Sequence, residues 1–133
     1  MLVLAPLLIL VYLAYEDIKE KQVSVLLTLF YVLLSIVYFV VTYPQYIAAG
    51  LISIILLFSV FIPMVVFDYM GIGDAILIPF TVLMFLPKIM IFLVVLAMCS
   101  VINSLIFKLW LKQKEPWPYV HVILATAIIT MLI

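Results

Sequence analysis

Charge is what this sequence has least of. Only 9% of its 133 residues are charged, arginine does not occur, and six lysines balance six acids to a net charge of zero. A soluble domain keeps roughly a quarter of its residues charged to cover its surface, so water is excluded as the solvent for most of this chain. With no excess of positive charge there is no field to attract a nucleic acid. Cysteine occurs once, at Cys99, which excludes an internal disulfide, a CxxC redox pair and a thiolate zinc site. Within an apolar run, Cys99 reads as a small buried residue. Histidine also occurs once, at His121; a lone interfacial histidine reads as structural, and neither a metal nor another cofactor is expected. No Gly/Ser/Pro-rich or charged linker divides the chain, so residues 1–133 read as one domain. No lysine or arginine precedes the first apolar stretch, so the N-terminus is not read as a cleavable signal peptide.

What the chain has instead is apolar side chains, 71% of the total, with a mean hydropathy of +1.57. Six apolar runs, 2–15, 23–42, 46–67, 75–86, 89–107 and 119–133, are separated by EDIKEKQ, Tyr43-Pro44, DYMGIGD, Pro87-Lys88 and KLWLKQKEPWP. The runs are continuous, whereas barrel strands alternate apolar and polar residues over ~10 positions. The predicted fold is therefore all-α: a polytopic membrane protein with six transmembrane helices. Tyr12, Tyr15, Tyr43, Tyr46, Trp110, Trp117 and Tyr119 sit near run ends, as an interfacial aromatic belt requires. The first, third and fifth loops share one side and carry Lys19, Lys21, Lys108, Lys112 and Lys114, against Lys88 alone on the other. The positive-inside rule puts those loops in the cytoplasm and both termini outside the cell membrane. The same alternation places Glu16, Asp17, Glu20, Asp68, Asp74 and Glu115 together at the cytoplasmic side.

Runs 2–15 and 75–86 are shorter than the ~20 residues that span a bilayer core, the second reaching roughly 18 Å at 1.5 Å per residue. Each is followed or opened by an aspartate, Asp17 and Asp74, which the shortness would draw below the membrane surface. Carboxylates at membrane depth are costly and point to function. Two of them side by side cannot both ionise easily and share a proton, so that one activates a water while the other polarises or protonates a carbonyl. Gly71 and Gly73, two of the chain's three glycines, directly precede Asp74. Glycine allows positive φ and close backbone approach, so such a turn can aim a carboxylate at a substrate strand. The bland alternative is that Asp74 merely N-caps a helix. Asp17, placed after a helix C-terminus where the dipole disfavours negative charge, is expected to be the initially protonated member, and Asp74, opening a helix, the initial base. Asp68, six residues before Asp74, is the competing second acid. Ser100, Asn103 and Ser104 share a helical face as interhelical hydrogen-bonding groups, and Pro63 and Pro79 are expected to bend their helices.

Asp17 followed by Ile-Lys-Glu-Lys-Gln-Val-Ser after a first apolar helix, together with Gly71-Ile72-Gly73-Asp74, resembles the two aspartate motifs of the type IV prepilin peptidases. These belong to the GxGD intramembrane aspartyl proteases. Trp117-Pro118-Tyr119 is similar to the Pro-containing start of a later core helix in that family. Val23-Ser24 replaces the usual Ile-Pro-like pair, Ile76 stands where bacterial members commonly have lysine, and no cysteine-bearing insert is present. The match is closer to the compact archaeal preflagellin (prearchaellin) peptidases, and methyl transfer is not expected. The resemblance implies an aspartic endopeptidase with Asp17 and Asp74 as catalytic pair and Gly71 and Gly73 supporting them. Its partner would be a prepilin or prearchaellin precursor whose short basic leader is cut off at the cytoplasmic face. Glu16, Glu20, Asp68 and Glu115 would be candidate contacts for that leader, though each alone reads as an ordinary loop charge. A small transporter using its carboxylates for proton or ion coupling is the alternative, but it predicts mid-membrane acids and an inverted repeat. A non-catalytic scaffold would tolerate replacement of both aspartates. Presenilin-like proteases share GxGD but set their first aspartate in a Tyr-Asp pair, which Tyr15-Glu16-Asp17 does not provide.

Overall fold

A computed structural model describes residues 3–20, 24–67, 71–110 and 119–133 of the chain. Among these, all regular structure is helical, in six α-helices: α1 (Leu4–Glu20), α2 (Val25–Thr42), α3 (Ile47–Val66), α4 (Ile72–Met84), α5 (Ile89–Leu105) and α6 (Val120–Leu132). Short 3-10 turns at Pro44–Tyr46 and Leu86–Lys88 lead into α3 and α5, and a π-helical turn, Ile106–Trp110, extends α5. Three stretches, Val25–Thr42, Pro44–Val66 and Leu86–Trp110, are long and apolar enough to cross a membrane. α4 and α6 are apolar but shorter.

Helix ends differ from the sequence expectation in three places. α1 does not stop before the charged run but continues through Glu16, Asp17 and Lys19 to Glu20. Glutamate and lysine are good helix formers, and nothing in that run breaks a helix. α4 starts at Ile72, ahead of the expected Ala75, with Gly71 at its N-cap. α5 runs through its π turn past Lys108 to Trp110. Pro63 and Pro79 both lie inside their helices.

α4 is the centre of the molecule. Ala75, Leu77, Ile78, Pro79, Thr81, Val82, Leu83 and Met84 are all buried, and the helix packs on α2, α3 and α6. α6 in turn lies against α1 and α5, and α1 against α2. One core joins Leu7, Leu10 and Leu13 of α1 with Leu77, Ile78 and Val82 of α4 and Val122, Ile123 and Ala127 of α6. The outer helices are the reverse: in α3 only Gly50 is buried, and Leu51, Ile55, Leu56 and Val60 face outward.

In lipid an apolar side chain gains little by turning inward, so helices associate through close packing and interhelical hydrogen bonds. Both are present. A Cβ on Gly50 would stand 2.5 Å from Cζ of Phe39 and 3.2 Å from Cδ2 of Leu83, so the missing side chain lets α3 close on α2 and α4. Thr81 Oγ1 donates to Leu77 O (2.7 Å) and, its one proton used, accepts from Tyr31 Oη (2.5 Å), tying α2 to α4 through fully buried hydroxyls.

Candidate active site

Asp17 lies in the last turn of α1, and its side chain is turned into the bundle, 9% exposed. Its Oδ2 accepts two backbone hydrogen bonds, from Tyr119 N at 2.5 Å and Val120 N at 2.8 Å. These are the N-cap and first residue of α6, whose leading N–H groups have no partner inside their own helix and point at whatever lies beyond it. The positive end of α6 therefore faces the Asp17 carboxyl and offsets the unfavourable end of α1. A charge assignment based on the α1 dipole alone is incomplete, and its premise changes too, since Asp17 is within α1 and not after it.

Asp74 occupies the first turn of α4 and is half-buried. It is not the N-cap: Gly71 holds that position with no side-chain cap bond, which removes the capping explanation for the motif. Gly71 does not use a left-handed conformation either, its φ of −74° and ψ of 151° being open to any residue. The Asp74 carboxyl folds back over Gly71, with Oδ2 3.5 Å from where a Cβ would be, so the glycine keeps that side of the carboxyl uncovered. Gly73 lies in the same first turn.

The fold brings the two aspartates together. Residues from α1 and α4, far apart in the chain, place their carboxyls within electrostatic reach of each other. Two α6 side chains stand within electrostatic reach of the pair, the Tyr119 hydroxyl of Asp74 and the His121 ring of Asp17. Ser100 Oγ donates to Leu96 O (2.7 Å) and hydrogen-bonds the Tyr119 hydroxyl, while Asn103 Oδ1 pairs with His121 Nε2 at 2.7 Å. Of the three residues expected to bond between helices, Ser100 and Asn103 do so here, between α5 and α6. His121 also packs on Phe107, ring centroids 6.1 Å apart.

The remaining sequence candidates divide. Glu16 Oε2 accepts from Ser24 N at 3.0 Å, where α2 begins, so it ties α1 to the start of α2. Glu20 is exposed at the end of α1. Asp68, Glu115, Trp117 and Pro118 lie outside the described residues. Cys99 is a free, partly buried thiol. No group of three or more His, Cys, Asp or Glu among the described residues is placed to hold a metal ion. The contribution of α6 is what sequence reasoning missed: backbone N–H groups have no letter in the sequence, and the only hint was a proline-led helix start close to a tyrosine.

An acid pair with one member held by amides, half-buried and open at a glycine, has the parts for general acid–base attack by water on a carbonyl. Comparison with known proteins agrees in kind. Residues 4–107 match the family model described as the type IV leader peptidase family. No curated protein and no solved structure matches the chain.

Proposed function

Because this chain belongs to the type IV leader peptidase family, we propose that it is a membrane aspartic endopeptidase that removes the short basic leader of prepilin- or prearchaellin-like precursors, with Asp17 and Asp74 as its catalytic pair. The observation that carries this reading is that those two carboxyls, from α1 and α4, stand within electrostatic reach of each other at buried and half-buried positions. The precursor's apolar helix stays in lipid beside the enzyme, while its leader lies along the cytoplasmic loops. Six membrane crossings with both termini outside put the pair at the cytoplasmic face. Glu20, Asp68 and Glu115 are then available to attract a basic leader.

The two amide bonds occupy Asp17 Oδ2, so a proton shared by the pair sits on Asp17 Oδ1 or on Asp74. The roles that fit are Asp17 as base and Asp74 as acid, the reverse of the assignment drawn from the α1 dipole. Asp17 takes a proton from water as the oxygen attacks the scissile carbonyl carbon, and Asp74 gives its proton to the carbonyl oxygen. Collapse of the tetrahedral intermediate breaks the C–N bond. The proton on Asp17 passes to the leaving amine, and Asp74 recovers its proton from the intermediate's hydroxyl. Nothing beyond the two carboxyls and a water is consumed or regenerated.

The test is cleavage of a prepilin and a prearchaellin in membranes holding wild type, Asp17→Asn, Asp68→Asn or Asp74→Asn at equal levels. Asp17→Asn and Asp74→Asn should each lower the single-turnover rate by roughly 10²–10⁴-fold, with Asp68→Asn close to wild type. Cleavage at the wild-type rate by either of the first two would remove that residue from the chemistry. No cleavage of any precursor by wild type would overturn the substrate assignment.

A further inference from the structure

Three consecutive residues at the start of α6 are each tied to a different partner. Tyr119 reaches α5 through its hydroxyl, which hydrogen-bonds Ser100. Ser100 spends its only proton on Leu96 O, so the tyrosine is the donor and the link has one direction: Tyr119 to Ser100 to the α5 backbone. Val120 gives its N–H to Asp17 Oδ2 and is itself 1% exposed. His121 meets Asn103, which can only accept through Oδ1, so Nε2 carries the proton and the ring is the donor. Its other nitrogen, Nδ1, is buried with no hydrogen-bond partner among the described residues. The ring is therefore held as a donor to Asn103 on α5.

These ties converge on one geometric outcome. A carboxylate at the end of α1 could rotate about its χ angles or turn to solvent. It is fixed because two amides, from Tyr119 and Val120, grip one of its oxygens. Those amides can only do so while the first turn of α6 keeps its place, and that turn is bolted to α5 on both sides of Val120. The family match ends at residue 107, before α6 begins, so the grip comes from a part of the chain the family pattern does not cover.

We propose that Tyr119 and His121 are positioning residues for the aspartate pair: acting through Ser100 and Asn103, they lock the α6 N-terminus to α5 so that its amides hold Asp17 in the orientation that catalysis uses. This inference rests on the aspartic endopeptidase reading above. It assigns to these side chains a share of the rate and none of the substrate affinity.

The experiment compares Tyr119→Phe, Ser100→Ala, Ser100→Thr, Asn103→Leu and His121→Phe with wild type and with Asp17→Asn and Asp74→Asn, all as full-length protein in bilayers. Steady-state cleavage of a precursor peptide should show kcat lowered about 10- to 100-fold, the scale of a misplaced catalytic group, with KM within twofold of wild type. Ser100→Thr, which keeps the hydroxyl, should restore kcat. Infrared difference spectra against Asp17→Asn isolate the Asp17 carboxyl stretch without relying on turnover; that band should shift in Tyr119→Phe and Ser100→Ala and return in Ser100→Thr. Unchanged kcat and an unshifted band, a loss wholly matched by the unfolded fraction, or failure of Ser100→Thr to restore either signal would each overturn the proposal. If instead Asp17→Asn and Asp74→Asn cleave normally, the endopeptidase pair itself is wrong, a result the infrared comparison keeps separate from the question of how Asp17 is held.

Discussion

Asp17 has a structural part as well as its proposed chemical one, and substitution can separate the two. Asparagine keeps an oxygen that can accept from Tyr119 and Val120, whereas alanine leaves both amides aimed at an apolar methyl inside the protein. A buried donor without a partner costs about 1–3 kcal/mol. Asp17→Ala should therefore lower the unfolding midpoint in detergent, while Asp17→Asn should unfold near wild type; equal midpoints for the two would mean that the amides do not depend on this acceptor. Both aspartates could be picked out of the sequence, because an acid beside an apolar run is physically anomalous and two such acids suggest one chemistry. Their mutual arrangement could not. Glycine at 71 suggested a left-handed turn, yet the backbone there is ordinarily extended, and the residue instead leaves space beside the Asp74 carboxyl. Neither distinction is carried by the letters GxGD.

Helices were easier to find than to bound. Long apolar runs have one stable form in lipid, so α2, α3 and α5 fall close to their expected places. Where polar residues follow, composition ceases to discriminate: EDIKE is both a plausible loop and a good helix end, and tertiary contact of Asp17 with α6 favours the helix. Packing between elements was hidden altogether, since the partner of a small residue is not in the sequence. Gly50 shows the point. Its neighbour Phe39 is buried, 5% exposed, and an added methyl would lie 2.5 Å from the ring. Gly50→Ala should destabilise the protein by about 1–3 kcal/mol, the usual range for overpacking, measured as loss of helicity in SDS titration. Adding Phe39→Leu, which shortens the intruding group, should recover most of that loss; additive damage would place the strain elsewhere.

For the molecule as a whole, composition settled the class and left the arrangement open. A chain with so little charge had to be helical and lipid-solvated, and the outward Leu51, Ile55, Val94 and Met98 agree with that surround. The proposed six crossings, with both termini outside, make a distinct prediction. Glu20 and Lys88 are both exposed, at opposite ends of the bundle. In a Cys99→Ser background, a membrane-impermeant maleimide should label the Lys88→Cys variant in intact cells and the Glu20→Cys variant only after permeabilisation. The opposite pattern would invert the orientation and with it the face on which leaders are cut.

The bond from Asp17 to the amides of Tyr119 and Val120 joins the first helix of the fold to the sixth. During synthesis the first helix enters the membrane long before the sixth exists, and until α6 docks, Asp17 has no amide to hold it. The grip on Asp17 is thus an attribute of the closed bundle: a shorter run of these helices carries the carboxyl without the amides that orient it, and the proposed active site is complete only when α6 has docked.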